Sequence, residues 1–504
     1  MAPTVSHEDW QVVCAPVADS SETHPFNLFN RQAKILARIV TAKIALTPKT
    51  LKSAYSTLVT TAAAMEHAAP RLPPSSSPIG NAGFVLFGIY VLSGFANDWS
   101  LHVFGVKAYL STVTLFLLPL AWLFSGQALR GLRSTVGLCW AALLLWMLLA
   151  TPFSVWRGGS AASLANYVPR AYLEFFYTCS FVTSLGRCRQ WMYIQIGSGA
   201  ALLLSCVAFG NSGGNLGGDS SEARFMIPDS LFFANSNDLA LALLLAIASF
   251  LFLFHRQNRA GRLAGIAGIL LSTSYAFRTG SRGCVIAASA MLILILWMSR
   301  NRWNVAALGL VALLVAVLVP GTHGESSSTL HRLSLLTSAD ASPAEKASDV
   351  ASVASQLERE ELFKTSLRYT LNHPLFGVGP DQFAAAVSQD AARFSQHAHW
   401  LGTHNTYTQV SSECGVPALI FYVAVIGLCL RSNLRLYRRT RDRPADSDLA
   451  GLSRCLIAGT LVFAVSAFFF HMAYSAYLPT LAGFTVALQF AAGNSDHAAG
   501  LEVG

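Results

Sequence analysis

The sequence predicts an all-α polytopic membrane protein with about twelve transmembrane helices and one long, partly helical loop. Hydrophobic residues make up 53% of the 504-residue chain and charged residues only 12%, about half the charged share of a typical soluble domain. The mean hydropathy is +0.46. The apolar residues are gathered in runs long enough to cross a hydrocarbon core of about 30 Å. This composition excludes an ordinary soluble globular protein.

Twelve apolar segments have the length and composition expected of membrane spans. In chain order they are 82–98, 107–126, 134–153, 163–185, 191–210, 231–254, 262–277, 283–299, 304–320, 415–431, 454–471 and 474–492.

The interval between the ninth and tenth segments, residues 321–414, is far longer than a turn between spans. Its first part, 325–355, is rich in Ser and Ala, and we expect it to be mobile. The leucine spacing then predicts a helix at 356–371, which His373-Pro374 ends. A glycine-rich turn follows, and a second short helix is expected at 381–395.

Clusters of arginine in the short connections predict the orientation of the spans, because cytoplasmic loops are enriched in Lys and Arg. With the N-terminus inside, both termini are cytoplasmic and the 321–414 loop is periplasmic. The clusters that then fall in the cytoplasm are Arg130 and Arg133; Arg187 and Arg189; Arg256, Arg259 and Arg262; Arg300 and Arg302; and Arg431 through Arg443. This pattern accounts for the net charge of +9 by membrane orientation, so we expect no nucleic-acid partner.

The predicted organisation has five parts. The first is a cytoplasmic tail, whose basic and apolar residues at 31–68 fit an amphipathic helix on an anionic leaflet and are followed by a Pro/Ser linker. In order, the parts are the tail at 1–80, transmembrane helices 1–9 at 81–320, the periplasmic loop at 321–414, transmembrane helices 10–12 at 415–492, and a cytoplasmic tail at 493–504.

The cysteines and histidines do not predict a metal centre. The nine cysteines include no CxxC pair and mostly lie in or beside apolar segments, as small packing residues do. Six of the thirteen histidines lie in the 321–414 loop. The closest pair, His397 and His399, lacks a carboxylate at ligand spacing. We therefore predict no metal ligand and no cofactor.

Two arginines occupy the turn between the seventh and eighth segments. Arg278 ends one span and Arg282 begins the next, with Gly280 and Gly283 allowing a tight turn. The predicted orientation places this turn on the periplasmic side, where arginine is disfavoured. A guanidinium stays charged and binds phosphate oxygens through two parallel hydrogen bonds. The turn is a candidate anion site, although arginines snorkelling at the membrane surface would show the same pattern.

A third arginine lies within the fourth segment. Arg170 stands four residues before Glu174, so the two side chains could neutralise each other on one helix face. If that face lines a cavity, Arg170 is instead a second candidate for phosphate binding. The sequence leaves both interpretations open.

The end of the long loop carries a candidate base. His404 adjoins Asn405 and lies about ten residues before the tenth span, which holds it near the membrane plane. A neutral imidazole there could take a proton from an acceptor hydroxyl, or His404 could be a structural residue. Glu413 could fix the tautomer of His404 or stabilise the N-terminus of the following helix. Asn405 and Glu413 are also candidates for substrate binding.

Polar residues also open the sixth segment. Asn237 and Asp238 follow Asn235 at its periplasmic end. They are candidates for the wall of a substrate cavity, and helix capping explains them equally well.

Five short motifs, in this order, resemble the bacterial O-antigen ligase superfamily of O-antigen ligases, O-antigen and exopolysaccharide polymerases, and O-oligosaccharyltransferases. The similarity spans roughly residues 80–490. The motifs are Asn237-Asp238-Leu-Ala240; Ser281-Arg282-Gly283; His373-Pro374-Leu-Phe-Gly377-Val-Gly379-Pro380; His404-Asn405; and Glu413-x-Gly415.

The resemblance implies a metal-independent, GT-C-like glycosyltransferase in the bacterial inner membrane, with a periplasmic active site. Its donor would be a glycan on undecaprenyl pyrophosphate, and its acceptor a glycan, lipid A core or protein. Arg282 would bind the pyrophosphate and His404 would act on the acceptor hydroxyl; Arg278 and Arg170 are less close matches to the family's other phosphate-binding arginines. Ligase, polymerase and protein glycosyltransferase share this chemistry, so the residues do not separate them. A transporter or flippase of the same lipid is the alternative, and it would need charged residues along a central pathway.

Overall fold

The structure is a computed structural model that describes residues 78–95, 100–103, 106–210, 225–227, 233, 235–255, 258–299, 302–318, 343–393 and 402–501. The predicted amphipathic helix and Pro/Ser linker, and the His397 and His399 pair, lie outside the described residues.

The described chain is almost entirely helical. Its helices are α1 (Pro78–Phe95), α2 (Leu110–Phe124), α3 (Thr135–Ala150), α4 (Arg157–Tyr167), α5 (Glu174–Phe181), α6 (Leu185–Phe209), α7 (Ser236–Phe254), α8 (Arg259–Arg278), α9 (Arg282–Met298), α10 (Arg302–Leu318), α11 (Pro343–Asn372), α12 (Phe383–Arg393), α13 (Thr406–Thr440), α14 (Ser447–Ser466) and α15 (Tyr477–Leu501).

Six stretches of the described chain are long and apolar enough to cross a membrane. They are Pro78–Phe95, Thr135–Phe153, Leu185–Phe209, Ser236–Phe254, Thr406–Thr440 and Pro444–Ser466. Three further apolar helices are shorter: Leu110–Leu123, Arg282–Met298 and Arg302–Leu314. A helical membrane protein is thus supported, whereas the number twelve stays a prediction. One reason is visible in α8, whose two terminal turns carry Arg259, Arg262 and Arg278 and lower its hydropathy.

The fourth predicted span, 163–185, is wrong as a single α-helix. The chain instead runs through α4, a π-helical turn at Val168–Tyr172 and α5. Pro169 lies in this turn and has no N–H to donate to the preceding turn. The Leu173 N–H bonds the Val168 carbonyl, five residues back, at 3.0 Å. The π turn inserts one residue at this break, the single-turn form in which π-helical bonds mostly occur.

A small antiparallel ribbon precedes α2 and was not predicted. Strands β1 (Ser100–Val103) and β2 (Val106–Tyr109) pair with each other. The second span was expected from residue 107, but the helix begins at Leu110. The alternating pattern of residues 106–109 favours a strand over a helix.

Two boundaries near the long loop also differ from expectation. Helix α11 begins at Pro343, so 343–355 is helical rather than the mobile stretch predicted. Proline at the first helical position, followed by Ala, Glu and Lys, favours this start. Helix α13 begins at Thr406 rather than at 415, and it bends at Gly415.

One end of the helix bundle collects the arginine clusters, and we call it the arginine end. There the Tyr437 hydroxyl, late in α13, donates to the Met298 carbonyl at the end of α9 (2.8 Å). Arg189, early in α6, pairs with Asp448 at the start of α14 (3.1 Å). Helices α9 and α13 therefore both finish at this end.

The opposite end holds the candidate histidine, and we call it the histidine end. The first turn of α9 packs there against Phe469, because a Cβ on Gly283 would lie 2.7 Å from the Phe469 Cβ. Phe469 belongs to the connection between α14 and α15, which also contacts His404. The Arg278 to Arg282 turn and His404 thus share one end of the bundle.

Candidate active site

A break in α13 creates the platform of the site. Gly415 has φ 85° and ψ 173°, far from helical values, and Pro417 follows two residues later. In a regular helix the Ser412 and Glu413 carbonyls would accept from the N–H groups of residues 416 and 417. Pro417 has no N–H, and Val416 donates elsewhere. Two carbonyls of α13 are therefore available to another segment.

The glycine-rich turn after α11 uses these carbonyls. Val378 N–H donates to the Ser412 carbonyl (2.8 Å), and Gly379 N–H to the Glu413 carbonyl (2.9 Å). In return, Val416 N–H donates to the Pro374 carbonyl (2.8 Å). Backbone groups from two sequence motifs thus dock the turn onto the bend of α13.

The approach is so close that two glycines are required. A Cβ on Gly377 would lie 2.3 Å from the Glu413 carbonyl carbon, and one on Gly415 would lie 2.0 Å from the Leu375 carbonyl oxygen. Both residues also have positive φ, which glycine adopts without strain. The glycines in the two motifs therefore have a structural explanation.

The docked turn places Asp381 at the histidine end. Its side chain accepts a hydrogen bond from the Ser163 hydroxyl (2.8 Å). Its N–H donates to the Glu413 carboxylate (3.1 Å) and lies 2.8 Å from the Tyr474 hydroxyl oxygen. The backbone of Asp381 has φ 59°, a region that Asp tolerates better than most side chains.

Glu413 serves this platform. Its buried carboxylate accepts from the Tyr474 hydroxyl (2.7 Å) as well as from the Asp381 N–H. The bend at Gly415 divides α13 into two helical parts, and Glu413 lies just before the second, so its stabilisation of that helix N-terminus stays a prediction. These contacts make it an anchor for the loop, while its proposed contact with substrate stays a prediction.

Asn405 has a capping role. Its side chain accepts from the Thr408 N–H (3.1 Å), which makes it the N-cap of α13, and its amide donates to the Phe468 carbonyl (3.2 Å). Asn is among the preferred residues at this position. The residue therefore joins the start of α13 to the α14–α15 connection.

Thr406 strengthens that junction. Its N–H donates to the Ala467 carbonyl (2.7 Å), and its hydroxyl donates to the Phe470 carbonyl (2.6 Å) while accepting from the Met472 N–H (2.9 Å). Three bonds from one residue fix the backbone on both sides of His471.

His404 and His471 meet at this junction. Their rings lie edge to face with centroids 5.3 Å apart. His404 has φ 50°, so His404 and Asp381 are the non-glycine residues with positive φ in the described part of the chain. Such backbone positions are often found at functional sites.

The electrostatic surroundings keep His404 neutral. Burial, Arg359 on α11 and His471 lower the pKa of His404 to about 4. Burial also lowers the pKa of His471, while Asp381 opposes that effect. Desolvation raises the pKa of Asp381, against Ser163 and His471. At neutral pH His404 is thus in the form that accepts a proton.

The arginine turn contacts the α14–α15 connection that carries His471. Arg282 is half-buried at the start of α9, and Gly283 next to it packs on Phe469, two residues before His471. Within the described residues Arg282 makes no ion pair.

Arg278 is also half-buried. Its guanidinium lies 5.0 Å from the centre of the Tyr275 ring, and its buried Nε has no hydrogen-bond partner among the described residues. An unpartnered Nε is not diagnostic by itself, because Arg454 at the arginine end has one too. The position of Arg278 in the turn is the stronger argument.

Arg170 and Glu174 do not form the ion pair considered from the sequence. Arg170 is exposed on the π turn, and its carbonyl accepts from the Tyr90 hydroxyl (2.7 Å). Glu174 is buried and accepts from the Thr480 hydroxyl. The ion pair was expected from the i,i+4 spacing of a regular α-helix. The π turn inserts one residue and so rotates the two side chains away from that arrangement.

The polar start of α7 lies at the histidine end. Asn235 caps the helix by accepting from the Asn237 N–H (2.9 Å). Asp238 is half-buried and interacts electrostatically with Tyr477, at the start of α15. Contact of Asn237 and Asp238 with substrate stays a prediction.

Sequence reasoning missed His471, Tyr474 and Asp381. His471 is the last residue of the eleventh predicted span and Tyr474 the first of the twelfth, at the side where the predicted orientation also places His404. A histidine and a tyrosine in a turn otherwise made of small and apolar residues were the available signal.

The fold and site define a helical membrane protein with histidine and arginine side chains gathered at one end of its bundle. A family profile described as O-Antigen ligase matches residues 267–423. This part of the chain is similar to the O-antigen ligase family, in agreement with the resemblance that its motifs carry. The match contains both turn arginines, the docked turn, His404 and the bend of α13. No curated protein matches the sequence.

Proposed function

We propose that the protein is an integral-membrane glycosyltransferase that transfers or polymerises a glycan carried on undecaprenyl pyrophosphate, at the periplasmic face of the bacterial inner membrane. The observation that carries the proposal is the placement of the Arg278 to Arg282 turn and His404 at the same end of the bundle, linked through the α14–α15 connection. That end lies opposite the arginine clusters that the charge rule assigns to the cytoplasm.

Transfer from a pyrophosphate requires stabilisation of the negative charge on the leaving group. Arg282 is half-buried at the start of α9, and a charge fixed there in a site with little water would give strong electrostatic stabilisation. Arg278 would bind a second oxygen of the same group. Because these charges are permanent, the proposed mechanism uses no metal ion.

The acceptor oxygen must lose its proton as it attacks the anomeric carbon. His404 is neutral at pH 7 because of burial, Arg359 and His471. Its backbone is fixed by the capped start of α13 and by the docked connection, so the imidazole is positioned as well as available.

The test is turnover of purified protein in lipid nanodiscs with a polyprenyl-pyrophosphate-linked glycan and an acceptor. His404→Ala is expected to lose about 10²- to 10⁴-fold in turnover, the range for removal of a general base. His373→Ala, which changes an exposed histidine at the end of α11, is the matched control and should keep parent activity. Equal turnover of His404→Ala and parent would contradict the role of His404.

The metal-independent step has its own test. We expect turnover to persist after EDTA treatment and gel filtration. Complete loss that Mg²⁺ or Mn²⁺ restores would refute that part of the mechanism while leaving the transferase activity in place. The product on the acceptor then separates ligase, polymerase and protein glycosyltransferase.

Transport of the same lipid is the competing function. It predicts movement of labelled lipid across a vesicle membrane without a new glycosidic bond. Glu174 is buried against Thr480, and Arg170 is exposed, so these two residues do not form a charged pathway through the bundle. The transferase assay and the vesicle assay together decide between the two.

A further inference from the structure

Two imidazole rings form a path from the interior of the site towards solvent. His404 is half-buried, and His471 has the larger exposed surface of the two, although burial of its ring still lowers its pKa. Their rings are edge to face, at 81° and 5.3 Å between centroids. A proton that leaves His404 in the direction of His471 therefore moves towards water.

The position of His471 is fixed from two sides. Thr406 binds the backbone before and after it. Gly402 lies next to the ring, and a Cβ there would stand 3.1 Å from the His471 Cγ, closer than ordinary contact allows. The absence of a side chain at 402 leaves room for the imidazole beside His404.

The charges around the pair differ between its two members. His404 faces Arg359 on α11 and His471 on the α14–α15 connection, and both disfavour its protonated form. His471 faces Asp381 on the docked turn, which favours its protonated form. Burial lowers the pKa of both rings; the charged neighbours of His404 add to that effect, whereas Asp381 opposes it at His471.

We propose that His471 is a positioning residue that receives, from His404, the proton taken from the acceptor hydroxyl, and that Asp381 stabilises the charged His471 until the proton reaches water. This inference rests on the proposed function and extends it to the fate of the proton.

The step balances without a further reactant. The acceptor O–H bond breaks and its proton goes to His404, while the acceptor oxygen forms the new bond to the anomeric carbon. The bond from that carbon to the pyrophosphate oxygen breaks, and its electron pair stays on the pyrophosphate. The proton passes to His471 and then to water, which returns His404 to its neutral form.

The first test is turnover of His471→Phe, which keeps a ring against His404 but has no proton site. We expect turnover to fall about tenfold or more and added imidazole to restore part of it. In His373→Phe, the matched control, turnover should equal that of the parent with or without imidazole. A purely structural role for His471 would not respond to imidazole.

The second test needs no substrate. Diethyl pyrocarbonate reacts with the neutral form of imidazole and not with the protonated form. Its modification of each histidine, followed by peptide mass spectrometry against pH, therefore gives the protonation midpoint of that histidine. His471→Phe should raise the His404 midpoint above about 4, because a positive neighbour is lost. Asp381→Asn should lower the His471 midpoint, because the carboxylate that favours its charge is lost.

Two results would overturn the inference. One is parent-like turnover in His471→Phe. The other is an imidazole-insensitive loss of turnover with an unchanged His404 midpoint. If His471→Phe does not fold, Asp381→Asn decides, and a parent-like turnover and His471 midpoint count against the relay. An inactive parent marks failure of the proposed function, whereas an active parent with an indifferent His471→Phe marks failure of this inference alone.

Discussion

Arg130 and Arg282 lie at opposite ends of the same helix bundle, and the protein treats their charges differently. Arg130 is buried at the arginine end, where its guanidinium donates to the carbonyls of Cys179 (3.2 Å), Val182 (3.3 Å) and Thr183 (3.4 Å). These carbonyls form the C-terminus of α5, a position that favours a cation. The charge is satisfied within the protein.

Arg282 begins a helix instead of closing one. The N-terminus of α9 carries the positive end of the helix dipole, which disfavours a cation. Among the described residues no carboxylate pairs with it. The contrast teaches that an arginine at a helix C-terminus with bonded carbonyls is a structural element, whereas one at a helix N-terminus adds to an existing positive potential. An external anion stabilises the second arrangement.

The contrast between Arg130 and Arg282 predicts that the largest effect is on turnover, in variants of Arg282. Arg282→Gln should lower turnover about 10²- to 10³-fold, as expected when a preorganised charge is removed from the leaving group. Arg282→Lys should recover only part of the loss, because an ammonium cannot bind two phosphate oxygens in the fork geometry. Steady-state turnover in nanodiscs is the measurement, and near-parent turnover of Arg282→Gln would remove this residue from the site.

The second effect is on stability. Arg130→Gln should lower the free energy of unfolding by about 1.5–3 kcal/mol, the range for a hydrogen bond to a charged group. Turnover per folded molecule should stay at the parent value. Thermal denaturation in detergent, followed by activity of the folded fraction, checks both parts. A large loss of turnover at unchanged stability would erase the distinction between the two arginines.

The smallest effect concerns pH. Turnover needs neutral His404, so the acid side of the pH profile should fall through about pH 4, below the ordinary histidine value. Arg359→Gln removes one positive neighbour and should move this fall to higher pH, by less than about one unit for a single half-buried charge. Arg368→Gln, which changes an exposed arginine on the same helix, should leave the profile in place. Identical profiles for all three proteins would show that Arg359 does not act on His404.

Most of the helical architecture could be predicted because apolar length is a local property of the sequence. The placement of Arg282 and His404 at one end also followed, since the charge rule and the alternation of spans are simple. The π turn at Val168–Tyr172 could not be predicted. Pro169 indicates that a helical hydrogen bond is lost, but not which backbone bonds form in its place. The start of α13 was missed because residues 406–414 are mostly polar, and hydropathy detects only the part after the bend.

The site was less predictable than the fold. His471 lies 67 residues after His404, and no periodic pattern connects residues on separate elements at such a distance. The N-cap role of Asn405 was not predicted, and its contact with substrate stays a prediction. Glu413 was expected to orient His404 or to stabilise a helix N-terminus. Its hydrogen-bond partners are the Tyr474 hydroxyl and the Asp381 N–H.

The docked turn on α13 separates the position of the loop from the chemistry of its exposed side chains. Its position is set by peptide N–H and C=O groups, which every residue other than proline supplies alike. Leu375 is exposed and Phe376 is half-buried. Substitution of either side chain leaves those backbone hydrogen bonds intact. The alignment of Asp381 with His471 is therefore insulated from changes in the neighbouring side chains. Such a loop can acquire new surface chemistry for a different acceptor while the spacing of its proton-handling groups stays constant.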